Sequence, residues 1–128
     1  MKFAYTLIYV PDVEMTLNFY VKTFGCTIRF IHESKCYGEL ATEGVVLAFA
    51  NEAFVTSGLG TFETNDIQKN PAGFEIAFTT ENVQQAYEHA INAGALPLQP
   101  PTEKPWGQVV SYVRDINGVI VEICSVIS

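Results

Sequence analysis

The sequence predicts an α+β fold built from two repeated βαβββ units. Short β-branched and aromatic runs recur along the chain and are interrupted by only two apolar stripes of helical period. Each stripe follows directly on the strand that opens a half-chain. The order of elements in the first half then begins again about 70 residues later, the signature of an internal repeat.

The first strand is FAYTLIYV, Phe3 to Val10, which stops at Pro11-Asp12. Asp12 is the natural N-cap of the helix behind it, where Val13, Leu17, Tyr20 and Phe24 recur at intervals of three and four before Gly25 ends it. Cys26–Ile31, Cys36–Thr42 and Val45–Ala50 read as three strands, separated by His32-Glu33-Ser34-Lys35 and Glu43-Gly44. In the second half GFEIAFTT, residues 73–80, is the opening strand. The helix runs from Glu81 or Asn82 to Ala93, with Val83, Ala86, Tyr87, Ala90 and Ile91 on one face and Gly94 closing it. Short strands near Ala95–Leu98, Gln108–Val113 and Val119–Val126 complete the unit. The predicted organisation is one domain over 1–128, with repeat 1 at about 1–51, a crossover at 52–71 and repeat 2 at about 72–128. The crossover, with Gly58 and Gly60, reads as a plain connection, a flap being the other reading.

Composition narrows the function. Hydrophobic residues make up 48% and charged residues 16% of the 128, which excludes disorder and argues for buried sheet or a subunit interface. Fourteen acidic against seven basic side chains give a net charge of −7, which repels phosphate backbones and anionic membranes, so neither nucleic acid nor membrane is an expected partner. The run Phe3–Val10 is too short for a membrane span and lacks a small-residue cleavage site, so the expected location is the cytoplasm. Cys26, Cys36 and Cys124 are odd in number and isolated in apolar stretches, the pattern of reduced, buried thiols.

The segment YVPDVEMTLNFYVKTFG resembles the opening of the vicinal oxygen chelate superfamily, which groups glyoxalase I, bleomycin-resistance proteins, fosfomycin-resistance enzymes and extradiol dioxygenases. The closing KPWGQVVSYVRDINGVIVEI, residues 104–123, is similar to that superfamily's Trp-Gly loop, Asp-x-x-Gly hairpin and Glu-bearing last strand. The resemblance implies mixed sheets curled around a pocket and a homodimer. Fold alone does not set function. In metal-dependent members, four inward-facing positions hold the ion, and the resemblance carries these onto Tyr5, Leu47, Glu75 and Glu122. Strand alternation separates Glu75, Ala77 and Thr79 from the apolar Phe74, Ile76 and Phe78, and sets Glu122 on one face with Ile120, Cys124 and Val126.

Transition-metal sites generally rely on imidazole or thiolate, and the only histidines, His32 and His89, fall outside those four positions. No cofactor is therefore expected; if a divalent metal binds, Glu75 and Glu122 are its ligands. Otherwise the two glutamates share a proton, meet a cationic ligand, or are a family remnant satisfied by Tyr5, Gln108 or Tyr112. Trp106 in Pro-Trp-Gly is placed to stack on a flat ligand at the pocket rim or to pack the hairpin, and Phe3, Tyr5, Tyr9 and Phe49 would border the first concavity, most of them as core. The ligand-binding candidates are thus Tyr5, Leu47, Glu75, Trp106 and Glu122. The favoured reading is a metal-independent small-molecule binding protein, with an antibiotic among the candidate ligands. Its alternative is a divalent-metal-dependent glyoxalase-like lyase or isomerase, or a dioxygenase, with Glu122 as the catalytic residue. A third is a dimeric domain whose cavity is empty or holds a regulatory metabolite.

Overall fold

The computed structural model describes residues 1–127. Two compact units divide at Thr64/Asn65, inside the segment expected to be the crossover. Each contains one four-stranded mixed sheet covered on one face by a helix.

In the first unit β1 (Tyr5–Val10) leads through Pro11 into α1 (Val13–Phe24), followed by β2 (Thr27–Ile31), β3 (Tyr37–Ala41) and β4 (Val46–Asn51). The sheet order is β1-β4-β3-β2. β1 pairs with β4 in parallel and the other ladders are antiparallel. Asp12 starts α1 by accepting a hydrogen bond from the Met15 amide at 2.9 Å. Gly25 stops it in the left-handed conformation, its N–H returned to the Tyr20 and Val21 carbonyls. The apolar stripe of α1 buries Val13, Leu17 and Tyr20 completely on the sheet face that carries Ile8, Val10 and Leu40. The Tyr20 and Phe49 rings lie 5.0 Å apart. Each such side chain contributes roughly 1.5–3 kcal/mol by leaving water.

The expected plain crossover is corrected in part: Glu52–Leu59 forms a helix, α2, capped by the Asn51 side chain accepting from the Phe54 amide at 3.0 Å. Asn51 also donates to the Pro11 carbonyl at 3.1 Å, which ties the start of α2 to the end of β1. Beyond α2, the Phe62 ring lies 4.9 Å from that of Tyr9, on the sheet face opposite α1.

The second unit repeats the order with β5 (Glu75–Thr79), α3 (Val83–Asn92), β6 (Leu96–Glu103), β7 (Val109–Arg114) and β8 (Ile120–Cys124), in sheet order β5-β8-β7-β6. Asn82 caps α3, accepting from the Gln85 amide at 3.1 Å. β6 is longer than expected, because its prolines sit on an edge strand with two register shifts, where missing N–H donors cost little. Among the described residues no helix is long and apolar enough to cross a membrane.

Candidate functional site

The pairing register decides which side chains share a face. In the second unit Glu75, Ala77 and Thr79 stand opposite Ile120, Glu122 and Cys124, while Glu122 stands opposite Tyr112. The opposite parity, including Val113, Val121 and Ile123, is buried core. The face away from α3 therefore gathers Glu75, Glu122, Tyr112 and Cys124.

These groups perturb one another. Desolvation first, then a hydrogen bond and the charge of Glu122, raise Glu75 from the ordinary 4.5 to about 7. Glu75 therefore holds a proton over part of the neutral range, with Glu122 beside it. Burial and the neighbouring Glu122 also push the Tyr112 phenol up. The Cys124 thiol is pushed up to about 11, by burial first and then by Glu122, which makes it unreactive at neutral pH. Gln108 adjoins this group, donating to the Ser125 carbonyl at 2.9 Å and accepting from the Trp106 indole at 2.9 Å. Trp106 is 59% exposed in the β6–β7 turn, so its ring is presented outward with its N–H already engaged.

In the first unit Tyr5, Leu7 and Tyr9 stand opposite Val46, Ala48 and Ala50. Leu47 pairs with Thr6 and belongs to the helix-facing parity at 8% exposure, so the expected inward position of Leu47 is corrected. A shift of one residue along a strand reverses the face of every side chain. The registers Tyr5↔Val46 and Glu75↔Ile120 make Ala48 the counterpart of Glu122. Phe49 likewise faces α1, and Phe3 precedes β1, leaving Tyr5 and Tyr9 of that aromatic group on the open face.

The same face holds residues that sequence reasoning missed. Tyr37 and Glu39 stand opposite Ala50 and Ala48, and the Tyr37 hydroxyl donates to Glu39 Oε2 at 2.7 Å. The signal was present as the alternation Tyr-Gly-Glu in the third strand. His32 Nδ1 lies 2.8 Å from the Ser34 hydroxyl in the β2–β3 turn, and His89 is exposed on α3, so neither histidine joins these faces.

Among the described residues no group of three or more His, Cys, Asp or Glu side chains is placed to hold a metal ion. The groups gathered on this face of the second unit are two carboxyls, a phenol and a thiol that burial holds protonated. The open groove of about 390 Å³ lined by Thr79, Thr80, Glu81, Ser125 and Val126 includes neither glutamate.

This chain belongs to the Glyoxalase/Bleomycin resistance protein/Dioxygenase superfamily, whose family model matches residues 2–123. Its fold is similar to that of a glyoxalase-related enzyme from Fulvimarina pelagi, at 24% identity over 98% of this chain and 88% of the other, with a TM-score of 0.82. A glyoxalase/bleomycin resistance protein/dioxygenase family enzyme from Burkholderia phytofirmans PsJN is similar at 18% identity, over 98% and 99% of the two chains, with a TM-score of 0.83. TioX from Micromonospora sp. ML1 is similar at 19% identity, over 98% of each chain, with a TM-score of 0.72. No curated protein matches the sequence.

Proposed function

We propose that the protein is a metal-independent small-molecule binder in which Glu75 and Glu122 hold a cationic or hydrogen-bond-donating ligand, with Trp106 as a stacking surface. The observation that carries this reading is the register that sets Glu75 and Glu122 on one face, where burial and the neighbouring Glu122 raise Glu75 to about 7, a repulsion that a ligand cation would relieve. The net charge of −7 favours the approach of cations. Membership of a superfamily that includes bleomycin resistance proteins makes bleomycin the first ligand to try.

The test combines elemental analysis of the purified protein with calorimetric titration of bleomycin at pH 8 into wild type and Glu122→Gln. Binding without stoichiometric metal, weakened by the substitution, supports the proposal. One tightly bound transition metal per chain, with hemithioacetal isomerase activity that chelators abolish, would replace it with the lyase or dioxygenase reading and Glu122 as a metal ligand. The proposal extends to a cytoplasmic homodimer. Three free thiols suit a reducing compartment, and Tyr5 and Leu7 leave the β1 edge of the first unit apolar and exposed. A monomer by sedimentation at tens of micromolar, roughly the range where micromolar affinity already favours association, counts against the dimer.

A further inference from the structure

The first unit carries a carboxylate of different construction from the Glu75–Glu122 pair. Glu39 is 6% exposed, and the Tyr37 hydroxyl satisfies its Oε2. Its Oε1 is buried and accepts no hydrogen bond. Arg29 Nη1 approaches that oxygen to 3.3 Å as an ion pair only, and the Arg29 side chain stays 61% exposed while that of Glu39 is 7% exposed. The contact joins a desolvated anion to a cation that remains largely in water. An exposed ion pair of this kind contributes little, whereas an unmet acceptor on a buried carboxylate is costly.

The backbone explains how Arg29 comes to lie there. Ile28 pairs with Leu40 and Phe30 with Glu39, so Arg29 is the extra residue of a bulge on the edge strand β2. A bulge residue leaves the ladder and its side chain is re-aimed. Phe30 stands opposite Glu39, and its ring lies 6.0 Å from that of Tyr37, which borders the carboxylate with two aromatic surfaces. Burial, then the hydrogen bond to Glu39, push the Tyr37 phenol up to about 12, so it stays a donor at any working pH.

We propose that Arg29 is the built-in occupant of a cation-binding subsite, and that a ligand bearing an aromatic ring and a planar amidinium or guanidinium displaces it. The incoming group donates to Glu39 Oε1 while its ring lies against Phe30 and Tyr37. The occupant is itself a guanidinium and the unmet group an acceptor, so the subsite selects donors over anions. It belongs to the first unit alone and stands apart from the Glu75–Glu122 reading.

Benzamidine is the probe and the Arg29 Nε–Hε signal in two-dimensional NMR the readout. In wild type, benzamidine should move this signal saturably toward the position of free arginine. Glu39→Gln should weaken benzamidine binding by about tenfold or more, as expected for loss of a charged acceptor, while Glu122→Gln leaves the response unchanged. Arg29→Gln, which removes the occupant and the reporter signal together, should tighten benzamidine binding as measured by calorimetry. An Arg29 signal that does not move in wild type overturns the proposal without any variant having to fold. So does a shift caused by benzoate in place of benzamidine, or a response lost in Glu122→Gln and kept in Glu39→Gln.

Discussion

Glu75 and Glu122 are diagonal neighbours on parallel strands: Glu122 pairs with Ala77, and Glu75 precedes Ala77 by two positions on the same face. Such an offset on one face lies within reach of two long side chains, and the two carboxyls interact. Because Glu75 is raised to about 7, the pair gains negative charge as pH rises through neutrality. A cationic ligand should therefore bind more tightly at pH 8 than at pH 6, and Glu75→Gln should abolish that dependence. Titrations of bleomycin at both pH values check this; an affinity independent of pH in wild type contradicts it.

The same shift has a sign for stability. A carboxyl whose folded value lies above its unfolded value contributes stability that is fully present below the unfolded value and is lost progressively as pH rises to the folded value. Stability should therefore fall as pH rises from 4.5 to about 7 and level off above. Glu75 is itself exposed, so solvent screening keeps the effect small. Chemical denaturation of Glu75→Gln across this window should show a flatter profile than wild type, and parallel profiles would rule the coupling out.

The same residues explain what the sequence could and could not reveal. Asp12, Gly25, Asn82 and Gly94 act through local backbone chemistry, so the helices and their repeat were legible at once. Glu75 was legible because its strand alternates polar with apolar. Leu47 was not: in Val-Leu-Ala-Phe-Ala-Asn the middle four residues are all buried, so no alternation marks the faces and only the register with β1 does. The second helix was hidden by Gly58 and by a lack of any buried stripe, and β6 by prolines that an edge strand tolerates. Glu39 was not legible, because its burial depends on Tyr37 and on a bulge that brings Arg29 over it.

A third expectation concerns the fit of α1 on its sheet. A Cβ added to Gly38 would stand 2.5 Å from Leu17 Cδ1 and 3.3 Å from Val13 Cγ1 and the Phe30 carbonyl, and Leu17 is fully buried. Gly38→Ala should cost about 1–3 kcal/mol, the usual penalty for overpacking a filled core. Urea denaturation measures it, and a second substitution, Leu17→Ala, should recover part of the loss on the Gly38→Ala background by opening the space. Strictly additive losses would show that the two positions do not compete.

The last expectation concerns Arg114, at the end of β7 and 7% exposed, whose guanidinium donates to four backbone carbonyls among the described residues. Nε reaches Gly118 at 2.9 Å, Nη1 reaches Ile67 at 3.3 Å, and Nη2 reaches Asp66 at 3.3 Å and Lys69 at 2.8 Å. One side chain thus ties the turn after Asn65 to the β7–β8 hairpin. Within that turn Asp66 accepts from the Gln68 and Lys69 amides, and Gly118, at φ 90°, lies so close that a Cβ would stand 2.9 Å from the Asp66 carbonyl. Arg114→Ala should cost on the order of 3 kcal/mol, since it leaves carbonyl acceptors without their charged donor. Arg114→Lys should recover only part, because a single ammonium cannot span acceptors arranged around a planar fork. Limited trypsin digestion should then cut after Lys69 while the rest of the chain stays protected. Wild-type stability in Arg114→Ala, together with an intact Lys69 bond, would show that the turn holds without it.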